Sequence, residues 1–148
     1  LKNVDFNSFA VQTIRKFDLI ITNPPYFVNS LHSPDKLKNM ARHTCSLTHS
    51  HLLSGVNSLL TDDGDFYVVL PSDISRTFVI DARLLDLHPL EMLQVFSKTE
   101  DSVPKRTLIR FTRNDCKCSE TKLSIYQAQT NDYTAEYKEL TKDYYLNF

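Results

Sequence analysis

The sequence predicts an α/β fold with the order βαβαββ, which is the second half of a doubly wound, Rossmann-like sheet. Nearly continuous apolar runs such as FDLIIT, residues 17–22, are typical of strands that a parallel sheet buries on both faces. These runs alternate with segments of helical spacing. The apolar runs at residues 90–98 and 105–113 are separated only by residues 99–104. This short connection predicts an antiparallel hairpin and an antiparallel strand at the far edge of the sheet.

Length and composition indicate a single domain, residues 1–148. Hydrophobic residues make up 41% of the chain, charged residues 24%, and the formal net charge is -1. These values exclude a disordered chain and an overall electrostatic attraction to nucleic acid, so any nucleic-acid contact must be local. The sequence has no bilayer-spanning apolar run and no signal-peptide pattern, so we expect a cytoplasmic protein without membrane contact.

The chain is expected to begin within the fold. LKNV, residues 1–4, is interpreted as the end of a strand with Asp5 at its carboxyl end. FDLIIT is the first complete strand. Residues 29–45 form a polar, proline-containing loop, which we expect to be the most mobile segment because long connections are seldom tightly packed.

The middle of the chain predicts two helices with a strand between them. Apolar residues recur at helical spacing over residues 48–60. The sequence TDDG is expected to end this helix in a turn at Gly64. DFYVVLP, residues 65–71, predicts a strand, and a second helix follows over residues 75–87.

The carboxyl-terminal part predicts the two hairpin strands, a short strand and a helix. These elements occupy residues 90–98, 105–113, 122–128 and 133–146. The tyrosines of the last segment are interpreted mainly as packing residues, with stacking on RNA as the alternative.

Glycine and cysteine usage argues against two kinds of site. The only glycines are Gly55 and Gly64, so the chain lacks the glycine-rich turn that open α/β folds use to approach an adenosyl cofactor. Cys45, Cys116 and Cys118 do not have the four-ligand spacing of a zinc site. We expect reduced thiols and no metal site. We also expect the chain to lack the amino-terminal strands that bind the cofactor in folds of this class.

The tetrapeptide Asn23-Pro24-Pro25-Tyr26 ends the first complete strand, where open α/β sheets bind their ligands. The two prolines stiffen the segment and carry no N–H, so it presents hydrogen-bond acceptors. If the Asn23 side-chain oxygen and the Pro24 carbonyl each accept one hydrogen of an aromatic amine, the amine nitrogen becomes a better nucleophile. Tyr26 can stack on the attached ring and hold a flipped base.

This tetrapeptide also fits two other interpretations. NPPY also matches the NPxY pattern of peptides captured by phosphotyrosine-binding domains, and it would serve as a plain strand-ending turn. An NPxY ligand belongs in an exposed tail, whereas this one follows the apolar residues DLII. The amine-binding interpretation is therefore favoured.

These residues resemble a known family. FDLIITNPPYF is similar to motif IV of the S-adenosylmethionine-dependent amino-methyltransferases, which modify adenine N6, guanine N2 or a protein glutamine. ARHT at residues 41–44, GDFYVVLP, PKRTLIRF and YTAEYKELTKDYYL are similar to segments of the bacterial tRNA(Val) adenine-N6 methyltransferases, which act beside the anticodon. The resemblance spans essentially the whole chain and implies a class I methyltransferase fold.

The resemblance implies roles for individual residues. Asn23, Pro24, Pro25 and Tyr26 would hold the target adenine, and Asp5 and Phe6 would meet the adenine of S-adenosylmethionine. The family's amino-terminal half, with its glycine-rich cofactor turn, has no counterpart in these 148 residues. We therefore expect the carboxyl-terminal half of such an enzyme, which would not transfer a methyl group alone.

Several alternatives for the function stay open at this point. The amine could belong to a DNA adenine, to an rRNA guanine or to a release-factor glutamine, because motif IV alone does not choose among them. The chain could also be a non-catalytic tRNA-binding or purely structural remnant. Methyl transfer to tRNA by the full-length protein would discriminate between these possibilities.

Basic residues near the tetrapeptide are candidates for contact with tRNA phosphates. They are Lys36, Lys38, Arg42 and His43 in the loop and Lys105 and Arg106 at the start of the second hairpin strand, with Arg110 and Arg113 extending the patch. A further expectation concerns residues 17–22. Without a preceding strand to pair with, they form an open edge, which we expect to be covered by another copy of the chain, by the amino-terminal residues or by crystal packing.

Overall fold

The computed structural model describes residues 3–25, 47–130 and 132–145. The helices are α1 (Phe6–Gln12), α2 (His49–Leu59), α3 (Ser72–Arg83) and α4 (Ala135–Thr141). The strands are β1 (Phe17–Thr22), β2 (Leu60–Pro71), β3 (His88–Lys98), β4 (Arg106–Thr112) and β5 (Ser119–Tyr126).

The five strands form one mixed sheet in the order β1-β2-β4-β3-β5. Strand β1 is parallel to β2, and β3 is parallel to β5. Strand β4 is antiparallel to both of its neighbours. The predicted α/β fold and the β3–β4 hairpin are therefore confirmed.

The predicted place of the antiparallel strand was wrong. Strand β4 lies between β2 and β3, and the parallel strand β5 forms the far edge. Strand β4 is interior because both of its edges are paired; Leu108, for example, pairs with Val69 of β2 and with Leu93 of β3. Its residues Thr107, Ile109 and Phe111 point into the core on alternate positions.

One face of the sheet carries the hydrophobic core. Helices α2 and α3 cover this face with fully buried side chains such as Leu53, Val56 and Phe78. The Phe78 ring lies 6.5 Å from Phe66 of β2 and 6.0 Å from Phe111 of β4. This aromatic group joins the central strands to α3 and fixes the sheet on which the site is built.

The other face of the sheet is open in the described part of the chain. Leu19 and Ile21 of β1 expose 53% and 69% of their surface, and Leu108 of β4 exposes 36%. The prediction that FDLIIT is buried on both faces was wrong in this structure, because the described helices pack on one side only. Strand β1 is an edge strand, as expected.

The amino-terminal residues differ from the prediction. Asn3 and Val4 are not in a strand, and residues 1–2 lie outside the described ranges. Helix α1 was not predicted, although Asp5 provides a helix-capping signal that the sequence contained. The carboxylate of Asp5 accepts a 2.9 Å hydrogen bond from the backbone N–H of Ser8, which is the geometry of an N-cap.

The predicted turn at Gly64 was also wrong. Strand β2 begins at Leu60 directly after α2 and continues through Gly64, whose φ is not positive. A Cβ at Gly64 would lie 2.9 Å from a methyl carbon of Leu60. Glycine is needed here because of limited space rather than for chain reversal.

Helix α3 begins earlier than predicted, at Ser72. None of the helices among the described residues is long and apolar enough to cross a bilayer.

Candidate functional site

The candidate site begins where β1 ends. Thr22 is the last residue of β1 and pairs with Val68 of β2. The next residue, Asn23, is exposed, whereas Pro24 is buried and Pro25 is exposed. The buried proline ring anchors the segment to the domain and leaves the Asn23 side chain at the surface, while Tyr26 lies outside the described residues.

Lys105 and Arg106 lie at the same end of the sheet. Arg106 pairs with Pro71 at the carboxyl end of β2, beside the end of β1. Both basic residues are exposed. The Lys105 backbone N–H donates to the Val95 carbonyl at 2.7 Å, and the Arg106 guanidinium donates to the Lys105 carbonyl at 2.9 Å. The structure thus brings these two residues to the edge that carries Asn23.

Asp5 and Phe6 lie at the amino terminus of α1. Hydrogen bonds from Ser8, of which the backbone N–H contributes most, lower the pKa of the Asp5 carboxyl below its ordinary value of 3.8. The Phe6 ring packs against α2 so closely that a Cβ at Gly55 would overlap it. Both residues therefore have structural roles, and contact with a cofactor remains a prediction.

Lys36, Lys38, Arg42 and His43 lie outside the described residues, as does the catalytic candidate Tyr26. Their proposed contacts with a base or with phosphate remain predictions.

Arg110 does not extend the basic patch. Its guanidinium donates two hydrogen bonds of 2.9 Å to Asp65 and one of 3.1 Å to Glu91. The hydrogen bonds to Asp65 raise the pKa of Arg110, and its guanidinium lies 5.8 Å from the centre of the Tyr67 ring. These contacts engage the Arg110 guanidinium within the sheet, and its contact with phosphate stays a prediction.

Arg113 is also engaged within the fold. It donates hydrogen bonds of 2.7 Å to the side-chain oxygen and to the backbone carbonyl of Asn57, near the end of α2. Arg113 follows the carboxyl end of β4, so it lies at the opposite end of the sheet from Arg106. The predicted patch is therefore reduced to Lys105 and Arg106 among the described residues.

The remaining ionisable groups do not form a metal site in the described ranges, where no group of three candidate ligands was found. Cys116 and Cys118 are free thiols, as predicted, and burial raises the pKa of Cys118. Burial lowers the pKa of His49, whose ring lies edge-on to Phe78 at 5.3 Å. The His49 Nε2 atom is buried without a hydrogen-bond partner.

A cluster of tyrosines lies at the carboxyl end of β5. Tyr126, Tyr133 and Tyr137 form a near-parallel stack with centroid separations of 5.0 and 5.1 Å. The Tyr145 hydroxyl lies 3.2 Å from that of Tyr137, and this hydrogen bond raises the pKa of Tyr137 to about 12. Tyr133, Tyr137 and Tyr145 thus contact one another, and the choice between a packing role and stacking on RNA stays a prediction.

The open sheet face contains a cavity of about 540 Å³ that sequence reasoning missed. Leu19, Ile21, Tyr67 and Leu108 contribute its apolar wall, and Asp18 and Asp65 lie at its margin. Alternation of apolar residues in β2 and β4 shows which side chains share a face. It does not show that one face lacks a covering helix.

Comparison with known proteins places this geometry in context. No protein-family model matches the chain. A tRNA1(Val) (adenine(37)-N6)-methyltransferase of Bacteroides thetaiotaomicron is 43% identical over 136 residues, covering 92% of this chain and 56% of the relative. The enzyme of the same name from Histophilus somni is 34% identical over 144 residues, covering 97% of this chain and 59% of the relative. The chain thus spans less than two thirds of the length of these relatives.

Solved structures agree on the fold. A predicted O-methyltransferase of Agrobacterium tumefaciens superposes with a TM-score of 0.56 at 11% identity, over 85% of this chain and 51% of that one. A chain of a type I R-M system superposes with a TM-score of 0.50 at 16% identity, over 90% of this chain and 30% of that one. The α/β architecture is that of the class I methyltransferases. Over 92% and 97% of its own length, the chain is thus similar in sequence to bacterial tRNA1(Val) (adenine(37)-N6)-methyltransferases.

Proposed function

We propose that this chain provides the amine-binding part of an S-adenosylmethionine-dependent methyltransferase that acts on the N6 amine of an adenine in tRNA. The observation that carries the proposal is the geometry of Asn23 and Pro24 at the end of β1. An exposed amide precedes a buried proline there, at the edge of the sheet where ligands bind in this class of fold. The relatives in Bacteroides and Histophilus support the substrate assignment, because their names specify it.

In this proposal, Asn23 and Pro24 act on the amine itself. The side-chain oxygen of Asn23 and the carbonyl oxygen of Pro24 each accept one hydrogen of the exocyclic amine. The nitrogen lone pair is then less delocalised into the adenine ring and points toward the incoming methyl group. Fixed dipoles of this kind stabilise the positive charge that develops on nitrogen, and one of the two original amine protons leaves to solvent after the transfer.

Pro25 and Tyr26 complete the base site in the proposal. Pro25 restricts the backbone of Pro24 to extended geometry and so holds the Pro24 carbonyl in place. Tyr26 stacks on the adenine ring and keeps the base out of its own strand. Stacking of this kind contributes about 1–3 kcal/mol per base.

The proposed cofactor is S-adenosylmethionine, which supplies an electrophilic methyl group when it is bound. The amino terminus of α1 fits part of it, because Asp5 offers a carboxylate beside the backbone N–H groups that begin the helix. In the proposal, Asp5 accepts a hydrogen bond from the cofactor's adenine and the Phe6 N–H donates to it.

The proposed substrate contacts are local because the net charge of the chain is -1. Lys105 and Arg106 bind phosphates beside the target base, together with Lys36, Lys38, Arg42 and His43. A tRNA substrate further suggests that the protein works in the cytoplasm.

The open edge of β1 supports a proposal about partners. Among the described strands, β1 has β2 as its one neighbour, and it exposes the apolar side chains of Leu19 and Ile21. Edge strands of this kind associate with other strands unless they are covered. We propose that the 148-residue chain self-associates through residues 17–22.

A methyl-transfer assay tests the proposed activity. The complete gene product that carries this chain is incubated with labelled S-adenosylmethionine and bulk tRNA. Asn23→Ala should lower kcat by about 100-fold or more, by analogy with the loss of other preorganised polar groups. Asn114→Ala is the matched control, because Asn114 is an exposed asparagine after β4, at the opposite end of the sheet. Wild-type turnover by the Asn23→Ala variant would rule out the assigned amine acceptor.

The same assay discriminates the alternative substrates. DNA, ribosomal RNA and release factor replace tRNA in parallel reactions, and methylation of one of them instead of tRNA would redirect the assignment. Binding of tRNA without any methyl transfer by the complete protein would favour a non-catalytic role.

A further inference from the structure

The tyrosine cluster lies at the same end of the sheet as the candidate amine site. Tyr126 pairs with Lys98 at the carboxyl end of β3, and Val95 of β3 pairs with Arg106 of β4. Arg106 in turn pairs with Pro71 at the carboxyl end of β2. One continuous edge of the sheet therefore connects Asn23 with the tyrosines.

The two features are at opposite margins of that edge. The strand order β1-β2-β4-β3-β5 places four strand spacings between them. With neighbouring strands about 4.8 Å apart, the separation is roughly 19 Å. This distance spans a few nucleotides of an extended single strand.

The tyrosines do not belong to the hydrophobic core. Helix α4, which carries Tyr137, has no buried residue. It is attached to β5 through Thr134, whose backbone N–H donates to the Ile125 carbonyl at 2.9 Å and whose hydroxyl donates to the Ser124 carbonyl at 2.6 Å. The tyrosines therefore remain near the surface, and Tyr144 and Tyr145 expose 86% and 45% of theirs.

The residues between the two margins include exposed basic side chains. Lys105 and Arg106 are both exposed there. The turn that precedes them contains two acidic residues, Glu100 and Asp101. The Asp101 carboxylate accepts a 3.0 Å hydrogen bond from the Lys98 backbone N–H, which leaves Glu100 as the exposed acidic side chain of this turn.

We propose that the tyrosine cluster and the exposed Tyr144, which precedes Tyr145 in the chain, stack on unpaired bases of the tRNA that flank the target adenine, while Lys105 and Arg106 bind the intervening phosphates. This inference rests on the proposed function. Aromatic rings beside basic side chains are the usual features of a surface for single-stranded RNA, since bases stack on the rings and phosphates pair with the cations. The stacked rings would hold the substrate strand in register with Asn23.

Tyr144 is the residue to substitute, because its removal should not disturb the fold. The Tyr144→Ala variant of the complete gene product should bind substrate tRNA at least about fivefold more weakly, as expected for one lost stacking contact. Tyr144→Phe retains an aromatic face and should bind like wild type. Leu84→Ala is the matched control, since Leu84 exposes 79% of its surface and follows α3 at the opposite end of the sheet.

Kinetics separate this inference from the proposed function. Tyr144→Ala should raise the KM for tRNA and leave kcat nearly unchanged, whereas Asn23→Ala should lower kcat. The tyrosine contact alone would be overturned if the wild-type protein methylates tRNA and the Tyr144→Ala variant binds tRNA with an affinity within twofold of wild type. Absence of both tRNA binding and methylation in the wild-type protein would overturn the proposed function together with this inference.

Discussion

The guanidinium of Arg110 holds the carboxylate of Asp65 through two hydrogen bonds of 2.9 Å. This contact joins β4 to β2 on the open face of the sheet, and the bond from Arg110 to Glu91 extends it to β3. One side chain thus connects the three central strands. Because Arg110 lies outside the helix-covered core, its ion pairs can be tested by substitutions that leave the core unchanged.

Replacing Arg110 should destabilise the domain. In Arg110→Met the carboxylates of Asp65 and Glu91 lose their common partner, and we expect a loss of about 1–2 kcal/mol in the free energy of unfolding. The value is below that of a fully buried pair because the Arg110 side chain is 28% exposed. Urea denaturation measures it.

Lys142→Met is the control for that experiment, because it breaks the exposed pair between Lys142 and Glu139. Exposed pairs of this spacing contribute about 0.5 kcal/mol or less. Equal effects of the Arg110 and Lys142 variants would contradict the role assigned to Arg110.

The structural and cofactor roles of Asp5 can be separated by two substitutions. Asp5→Asn keeps an oxygen that accepts from the Ser8 N–H, so helix α1 should keep its stability, whereas Asp5→Ala should weaken it. Both variants lose the carboxylate and should bind S-adenosylmethionine more weakly in the complete protein. Calorimetry in which Asp5→Asn binds like wild type would argue against the cofactor role.

The cap should also depend on pH. The pKa of Asp5 is lower in the folded chain than its ordinary value of 3.8, so the cap is fully stabilising above pH 3.8 and is lost as the pH falls through the lower folded value. Amide exchange of α1 is the measurement. Exchange that is insensitive to acid in wild type and Asp5→Asn alike would contradict this expectation.

His49 should make the domain less stable in mild acid. Burial lowers its pKa below 6.5 in the folded state, so the unfolded chain takes up a proton first as the pH falls. The free energy of unfolding should therefore decrease below pH 6.5 and level off below the folded pKa. His49→Leu should remove this dependence between pH 7.5 and 5.5, whereas His51→Leu, at an exposed histidine, should retain it.

Self-association through β1 should respond to charge on the open edge. Ile21→Lys in the 148-residue chain should shift the population toward monomer, because a lysine on an edge strand opposes strand pairing. Ile80→Lys is the control, since Ile80 is 55% exposed on α3. Light scattering in which wild type is strictly monomeric would contradict the proposed association.

The sequence predicted most elements because their signals are local. The run at residues 17–22 gave β1, and the spacing of Leu52, Leu53 and Val56 gave α2. The family motif also located Asn23 at the carboxyl end of β1. Each of these conclusions needed only the residue types within one short segment of the sequence.

The errors concern contacts between distant residues. The place of β4 depends on which strand pairs with β2, and a hairpin prediction says nothing about the second neighbour of a strand. The ion pairs of Arg110 join residues 19 and 45 positions apart, so periodicity within β4 gave no sign of them. The open face was missed because a strand pattern does not reveal whether a helix covers it.

The insertion of β4 between β2 and β3 has a consequence for folding during synthesis. Strand β2 pairs with β4 through contacts such as Val69 with Leu108, so the ribosome must produce nearly forty more residues before β2 gains this neighbour. Until then, the edge of the apolar strand β2 that faces away from β1 has no strand to pair with, and an open edge of this kind is prone to aggregation. We expect early engagement by a chaperone and a sharp gain in protease resistance once residue 112 leaves the exit tunnel.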